Sequence, residues 1–163
     1  MGERTQKFLN MKFEIRPIAI VYNTRPDTSD DFWGDVISEI RLTDEIPGEA
    51  FDGIDSFSHA EIIFIFNKAL DTKPVLGSEH PRENKAWPKV GIFAQRKKNR
   101  PNFIGTTICE IIRRDGKSLY VKKLDAINGT PVVDIKPVMK EFLPQSIVEQ
   151  PSWSGELMKD YWK

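Results

Sequence analysis

Residues 104–124 read IGTTICEIIRRDGKSLYVKKL. Two apolar-rich runs flank Asp115-Gly116, and an Asp-Gly pair in that setting is a strong short-range signal for a β-hairpin. The stretch therefore predicts strands over residues 104–112 and 119–124, with Arg114-Asp115-Gly116-Lys117 as the turn. Cys109 lies inside the first strand, between Thr107-Ile108 and Ile111-Ile112. Those neighbours predict a buried structural thiol rather than a nucleophile. It is the chain's one cysteine, so no internal disulfide is possible, which suits a reducing compartment.

Outward from the hairpin, the same strand signal recurs. Residues 13–22 (FEIRPIAIVY) carry apolar side chains at Phe13, Ile15, Ile18, Ile20 and Tyr22, predicting a strand with Pro17 at a bulge or edge. Residues 36–42 put Val36, Ile40 and Leu42 on one parity. Residues 59–66 (HAEIIFIF) end in five large apolar residues, which predicts a strand buried on both faces. Residues 90–94 and 132–135 complete the strand set. Residues 23–33 read as an acidic loop and 47–56 as a short helical turn at most. Residues 71–89, holding Pro74, Pro81 and Pro88, read as a long irregular excursion, and such loops are more often functional than idle. Only residues 152–162 (SWSGELMKDYW) show helical spacing, with Trp153, Leu157 and Tyr161 four apart. Many short strands without βαβ alternation predict a mainly β fold, a small antiparallel β-barrel with few short helices. The expected organisation is an N-terminal tail over residues 1–12 and a single domain over 13–163.

The chain is electrically neutral overall, with 24 cationic and 24 acidic side chains, but the two signs are separated. Between residues 84 and 109 lie Lys85, Lys89, Arg96, Lys97, Lys98 and Arg100 without one carboxylate. Between 27 and 61 lie eleven carboxylates opposed only by Arg41. This is a dipolar surface with one anion-attracting patch. No apolar run is long enough to span a membrane, and residues 1–10 are too polar for a signal peptide, so a cytoplasmic location is expected. A glycine-rich phosphate loop, the dinucleotide-binding glycine fingerprint, paired-cysteine metal spacing and His-Glu-x-x-His are all absent. His59 and His80 stand on separate segments, and His59 reads as structural rather than as a base. Asp125, Asn128 and Asp134, taken alone, read as an Asn-Gly turn flanked by Asx hydrogen bonds.

Two longer motifs change that weighing. One is Gly91-Ile92-Phe93-Ala94-Gln95-Arg96 followed by Asn99-Arg100-Pro101-Asn102-Phe103-Ile104-Gly105. The other runs from Leu124 to Pro137 (LDAINGTPVVDIKP). With Phe57-Ser58-His59 and an Arg-Pro turn after the first strand, the chain resembles the TrmO/TsaA-like family over about residues 13–142. Members methylate N6 of threonylcarbamoyladenosine beside the tRNA anticodon.

The resemblance implies a non-Rossmann β-barrel methyltransferase that uses S-adenosylmethionine and works as a homodimer on tRNA. Carried over by motif, the expected cofactor-binding residues are Arg96, Thr106, Phe66, Asn67 and the run Asp125, Ala126, Ile127, Asn128, Gly129 and Thr130. Phe32, Trp33 and Gly34 stand where the family places a further cofactor loop. Arg96 suits a carboxylate by bidentate pairing, and Phe66 or Trp33 suits stacking on adenine. Lys97, Lys98, Arg100 and Asn102 are the expected substrate-binding residues, the cations projecting outward to phosphate from a turn stiffened by Pro101. The resemblance assigns no catalytic residue and no metal. The resemblance is to a short form of the family, expected to work without the extra C-terminal domain of longer members. Two other readings stay open: a same-fold methyltransferase acting on a small molecule or another RNA, and a non-catalytic barrel that holds nucleic acid.

Overall fold

Side chains that alternate across a strand let a short sheet close around an apolar interior. The computed structural model describes residues 11–163 and contains eight such strands. They are β1 (Ala19–Tyr22), β2 (Ile37–Leu42), β3 (His59–Ile65), β4 (Ser78–Glu79), β5 (Val90–Gly91), β6 (Ile104–Asp115), β7 (Ser118–Lys122) and β8 (Pro131–Pro137). Six of them close a barrel in the order β1-β2-β7-β6-β3-β8, each neighbour antiparallel to the next. β4 and β5 pair separately as a small ribbon. The hairpin of β6 and β7 forms as expected, with Asp115 opposite Ser118 across the Gly116-Lys117 turn.

The interior takes Val21, Ile40, Ala60, Ile62, Phe64, Cys109, Leu119, Val121 and Val132, all essentially inaccessible. Each large apolar side chain so buried contributes about 1.5–3 kcal/mol relative to exposure. Cys109 is among them, and burial, reinforced by the nearby Asp125 charge, pushes its thiol far above the ordinary range. Gly105 faces Phe64 across the β3–β6 ladder. A Cβ there would lie 2.5 Å from Phe64 Cε2 and 2.9 Å from Phe66 Cζ. The missing side chain therefore lets Phe66 pack edge-on to Phe64, ring centroids 5.3 Å apart, at the barrel rim.

The structure departs from the sequence expectations in several places. Pairing over 13–22 begins only at the end of that stretch: residues 11–17 are exposed and outside the ladders. Pro17 has no N–H to donate, and the ladder starts with Ile18 N–H to Val132 O at 2.8 Å. β3 buries one face rather than two, because Glu61, Ile63 and Ile65 point out of a closed barrel. The strand expected over 90–94 stops at Gly91 and becomes a 3-10 turn (Ile92–Ala94). The excursion over 71–89 is partly ordered, holding β4 and a 3-10 turn at Pro81–Glu83. β7 ends at Lys122, and Lys123 takes a left-handed φ of 67°. The only α-helix among the described residues, α1 (Ser152–Leu157), is far shorter than the helical spacing suggested. Gly155 weakens it, and so short a helix depends on tertiary contacts. Most of the expected tail, residues 1–10, lies outside the described residues. No helix among the described residues is long and apolar enough to cross a membrane.

Candidate functional site

One rim of the barrel collects nearly all the residues singled out by sequence. There, residues 124–130, between β7 and β8, are stitched to the exit of β1. Asn23 donates from Nδ2 to Ala126 O at 2.8 Å and to Ser38 Oγ at 2.9 Å. Its backbone N–H reaches Asn128 Oδ1 at 3.1 Å. Asn128 N–H donates to Arg25 O and Gly129 N–H to Val21 O, both at 2.8 Å. Gly129 takes φ +83°, and no atom lies within 4 Å of where its Cβ would be. The turn is thus rigid in its backbone and open on its outer side.

Arg25 organises the acidic loop that follows. Its guanidinium donates to the carbonyls of Ser29, Asp31 and Phe32 and to Ser29 Oγ, and it lies 4.1 Å over the Trp33 ring. The C-terminal turn closes against the same loop. Phe32 N–H donates to Asp160 O at 3.1 Å and Trp33 N–H to Tyr161 O at 2.8 Å. Arg82 pairs bidentately with Asp31, at 2.7 and 3.1 Å, and Trp87 Nε1 donates to Glu156 Oε2 at 2.8 Å. These contacts tie the 80s excursion to the acidic loop and to α1.

Asp125 sits at the junction. Thr107 Oγ1, from β6, donates to its Oδ1, and the Tyr161 hydroxyl donates to its Oδ2. Burial, then the adjacent Asp125 charge, pushes the Tyr161 phenol far above its usual range, so it stays a donor. Arg96 is exposed and donates to Thr106 O, whose own hydroxyl donates to Glu61 at 2.8 Å. Phe66 N–H donates to Phe103 O at 2.8 Å, and Lys68 reaches Pro26 O at 2.9 Å. The exit of β3, with Asn67, is thereby latched to the loop after β1.

The basic turn is less outward than expected. Lys97 pairs with Glu79, and Arg100 folds back to donate to Gln95 O at 2.9 Å. Gln95 is itself buried and donates to Val90 O at 3.1 Å. Asn102 is exposed with φ 65°. Lys98 is half-buried and enters no ion pair among the described residues. Much of the local charge therefore holds the turn together.

Arg96, Thr106, Asp125 and residues 126–130 do converge, with Phe66 and Asn67 beside them. Three expected roles change. Trp33 is 3% exposed beneath Arg25, so its face is closed to stacking; Phe32, 61% exposed, and half-buried Phe66 remain open. Gly34 is covered by the C-terminus, since a Cβ there would meet Trp162 O at 2.0 Å. Ala126 and Thr130 are buried as whole residues, their carbonyls already taken by Asn23 Nδ2 and Val21 N–H. Asp134 pairs with Lys136 instead of joining Asp125, and Asn128-Gly129 is a turn as expected, but Asp125 and Asn128 make no Asx hydrogen bonds there, because their side-chain oxygens accept from Thr107, Tyr161 and the remote Asn23 N–H. His59 is exposed at the start of β3, its Nδ1 2.8 Å from Ser58 Oγ. Sequence reasoning missed Asn23, Thr107 and Tyr161. Tyr161 was visible only as part of an apolar helical face; nothing in the spacing signalled its hydroxyl. Two cavities, of about 470 and 310 Å³, are lined by none of the expected cofactor- or substrate-binding residues, although Glu61, the acceptor of the Thr106 hydroxyl, lines the smaller.

The profile of the tRNA-methyltransferase O N-terminal domain matches residues 25–142. The chain belongs to that family. It is 38% identical over 104 residues to a human tRNA (adenine(37)-N6)-methyltransferase, a match covering 63% of this chain and 23% of that protein. A probable S-adenosyl-L-methionine-binding protein of Methanothermobacter thermautotrophicus is 33% identical over 136 residues, covering 81% of this chain and 94% of its own length. The chain thus spans about a quarter of the human relative and nearly all of the archaeal one. Among solved structures, TrmO from Pseudomonas aeruginosa superposes with a TM-score of 0.71 at 21% identity, covering 88% of this chain and 62% of that one. At that identity the likeness speaks for the barrel fold.

Proposed function

We propose that this chain is an S-adenosylmethionine-dependent methyltransferase acting on N6 of the adenosine beside the tRNA anticodon, in its threonylcarbamoyl form. The observation that carries the reading is the convergence of Arg96, Asp125 and the 125–130 turn on one rim, in a chain of this family. The donor set fits the cofactor. Arg96, exposed beside Thr106, suits the amino-acid carboxylate. The open, left-handed Gly129 turn admits an adenine edge, and Phe66 or Phe32 offers a stacking face. When bound, S-adenosylmethionine supplies a methyl group on an already activated sulfonium. The protein's part is then to position and desolvate, and no strong base is required of its side chains. Relatives named as tRNA methyltransferases support the substrate, and Lys98, Asn102 and the exposed Lys85 and Lys89 are its phosphate-facing candidates.

The working unit in this reading is a cytoplasmic homodimer. Phe142, Ile147 and Val148 are 86%, 89% and 69% exposed on the arm leading to α1, with Ile108 and Ile112 exposed on β6. Apolar surface of that extent is costly to leave in water and is what a second subunit would cover.

Calorimetric titration with S-adenosylmethionine tests the proposal. The wild type should bind, and Arg96→Ala should lose about 1.5 kcal/mol, the lower end for a charged hydrogen bond because Arg96 is exposed. No binding by the wild type at millimolar ligand contradicts the proposal, and leaves the non-catalytic barrel as the better reading.

A further inference from the structure

Asp125 is held in an unusual way for a carboxylate at a ligand-facing rim. Both oxygens accept from neutral hydroxyls, Thr107 on Oδ1 and Tyr161 on Oδ2. No ion pair among the described residues includes it. Arg96, on the same rim, spends Nη2 on Thr106 O. Neutral donors fix a carboxylate in place and leave its negative charge intact. Tyr161 is anchored in turn by its own backbone, whose carbonyl accepts from Trp33 N–H, and by edge-to-face packing on Trp162 at 4.9 Å.

We infer that Tyr161 is a positioning residue: with Thr107 it presents the Asp125 carboxylate as a fixed anion that reads the positive sulfonium of the cofactor. The inference rests on the methyltransferase reading above. A sulfonium has charge but no N–H or O–H, so it needs an anion nearby rather than an acceptor lone pair. A carboxylate with both oxygens already hydrogen-bonded, and its charge unneutralised, fits that need. An ammonium group would instead seek a hydrogen bond. S-adenosylmethionine and S-adenosylhomocysteine share every group except the methyl and its charge, so the carboxylate favours substrate cofactor over spent product.

The test compares calorimetric affinity for the two ligands in wild type, Tyr161→Phe, Thr107→Val and Asp125→Asn, with thermal melting of each. The expected result is selective loss. Asp125→Asn should weaken S-adenosylmethionine roughly tenfold, a magnitude typical of losing one charged contact. Its effect on S-adenosylhomocysteine should be much smaller. Tyr161→Phe and Thr107→Val should move the ratio of affinities in the same direction by less. Thr107→Val keeps the shape of a buried strand position, so it serves if loss of the Tyr161 contact loosens the C-terminal turn. Equal weakening of both ligands, or an unchanged ratio in all three variants, overturns the inference while leaving the cofactor reading intact. A wild type that binds neither ligand overturns both.

Discussion

At the scale of single residues, Gly105 and Cys109 on β6 carry opposite consequences. Gly105 is required by close approach, since a Cβ would press on Phe64 and Phe66. Gly105→Ala should therefore cost about 1–3 kcal/mol, as overpacking does, and should also displace Phe66 from the rim. Denaturant unfolding checks the first effect, and cofactor titration the second. Cys109 should be inert: with its thiol inaccessible and pushed far up, it should react with a thiol reagent only as fast as the protein unfolds. Rapid labelling of the folded protein would contradict that. The buried thiol was legible because its apolar neighbours are adjacent in sequence. Tyr161 was not, because its partner Asp125 is far away in the chain, and periodicity encodes a face rather than a hydroxyl.

At the scale of elements, strands were easier to foresee than their limits. Parity over 36–42 and the apolar run over 59–66 identified β2 and β3, while the closed barrel alone decided that β3 has a solvent side. The expected strand over 13–22 shortened because Pro17 has no N–H to donate to a ladder, and the long terminal helix shortened around Gly155. The basic turn shows the same limit for charge. Four cations in five residues suggested an outward clamp, but Lys97 is committed to Glu79 and Arg100 to Gln95 O. Lys98→Ala should flatten the slope of log affinity for tRNA against log salt by roughly one contact's worth. Lys97→Ala should do less, because Glu79 already neutralises it, and Glu79→Gln should steepen the slope by freeing Lys97. Filter binding across a salt series reads all three. Identical slopes throughout would remove the turn from the nucleic-acid surface.

At the scale of the molecule, the order of strands brings β6, the 124–130 turn, the acidic loop and the C-terminus to one rim, and the family places that assembly among tRNA methyltransferase domains. The motifs that carry the resemblance were legible as sequence. The clasp of α1 and the C-terminal turn across them was not, because it depends on backbone pairing of Phe32 and Trp33 with Asp160 and Tyr161. A dimer should sediment at about twice 18.8 kDa at micromolar concentration, and Phe142→Asp should shift it towards monomer if that arm is covered. The central claim is tested most directly by chemistry on the substrate itself. Purified protein is incubated with S-adenosylmethionine and tRNA bearing threonylcarbamoyladenosine, and the digested nucleosides are weighed by mass spectrometry. The account predicts that this one nucleoside gains a single methyl group and that Arg96→Ala slows the gain. An unchanged nucleoside, in the presence of a protein that demonstrably binds the cofactor, would contradict it.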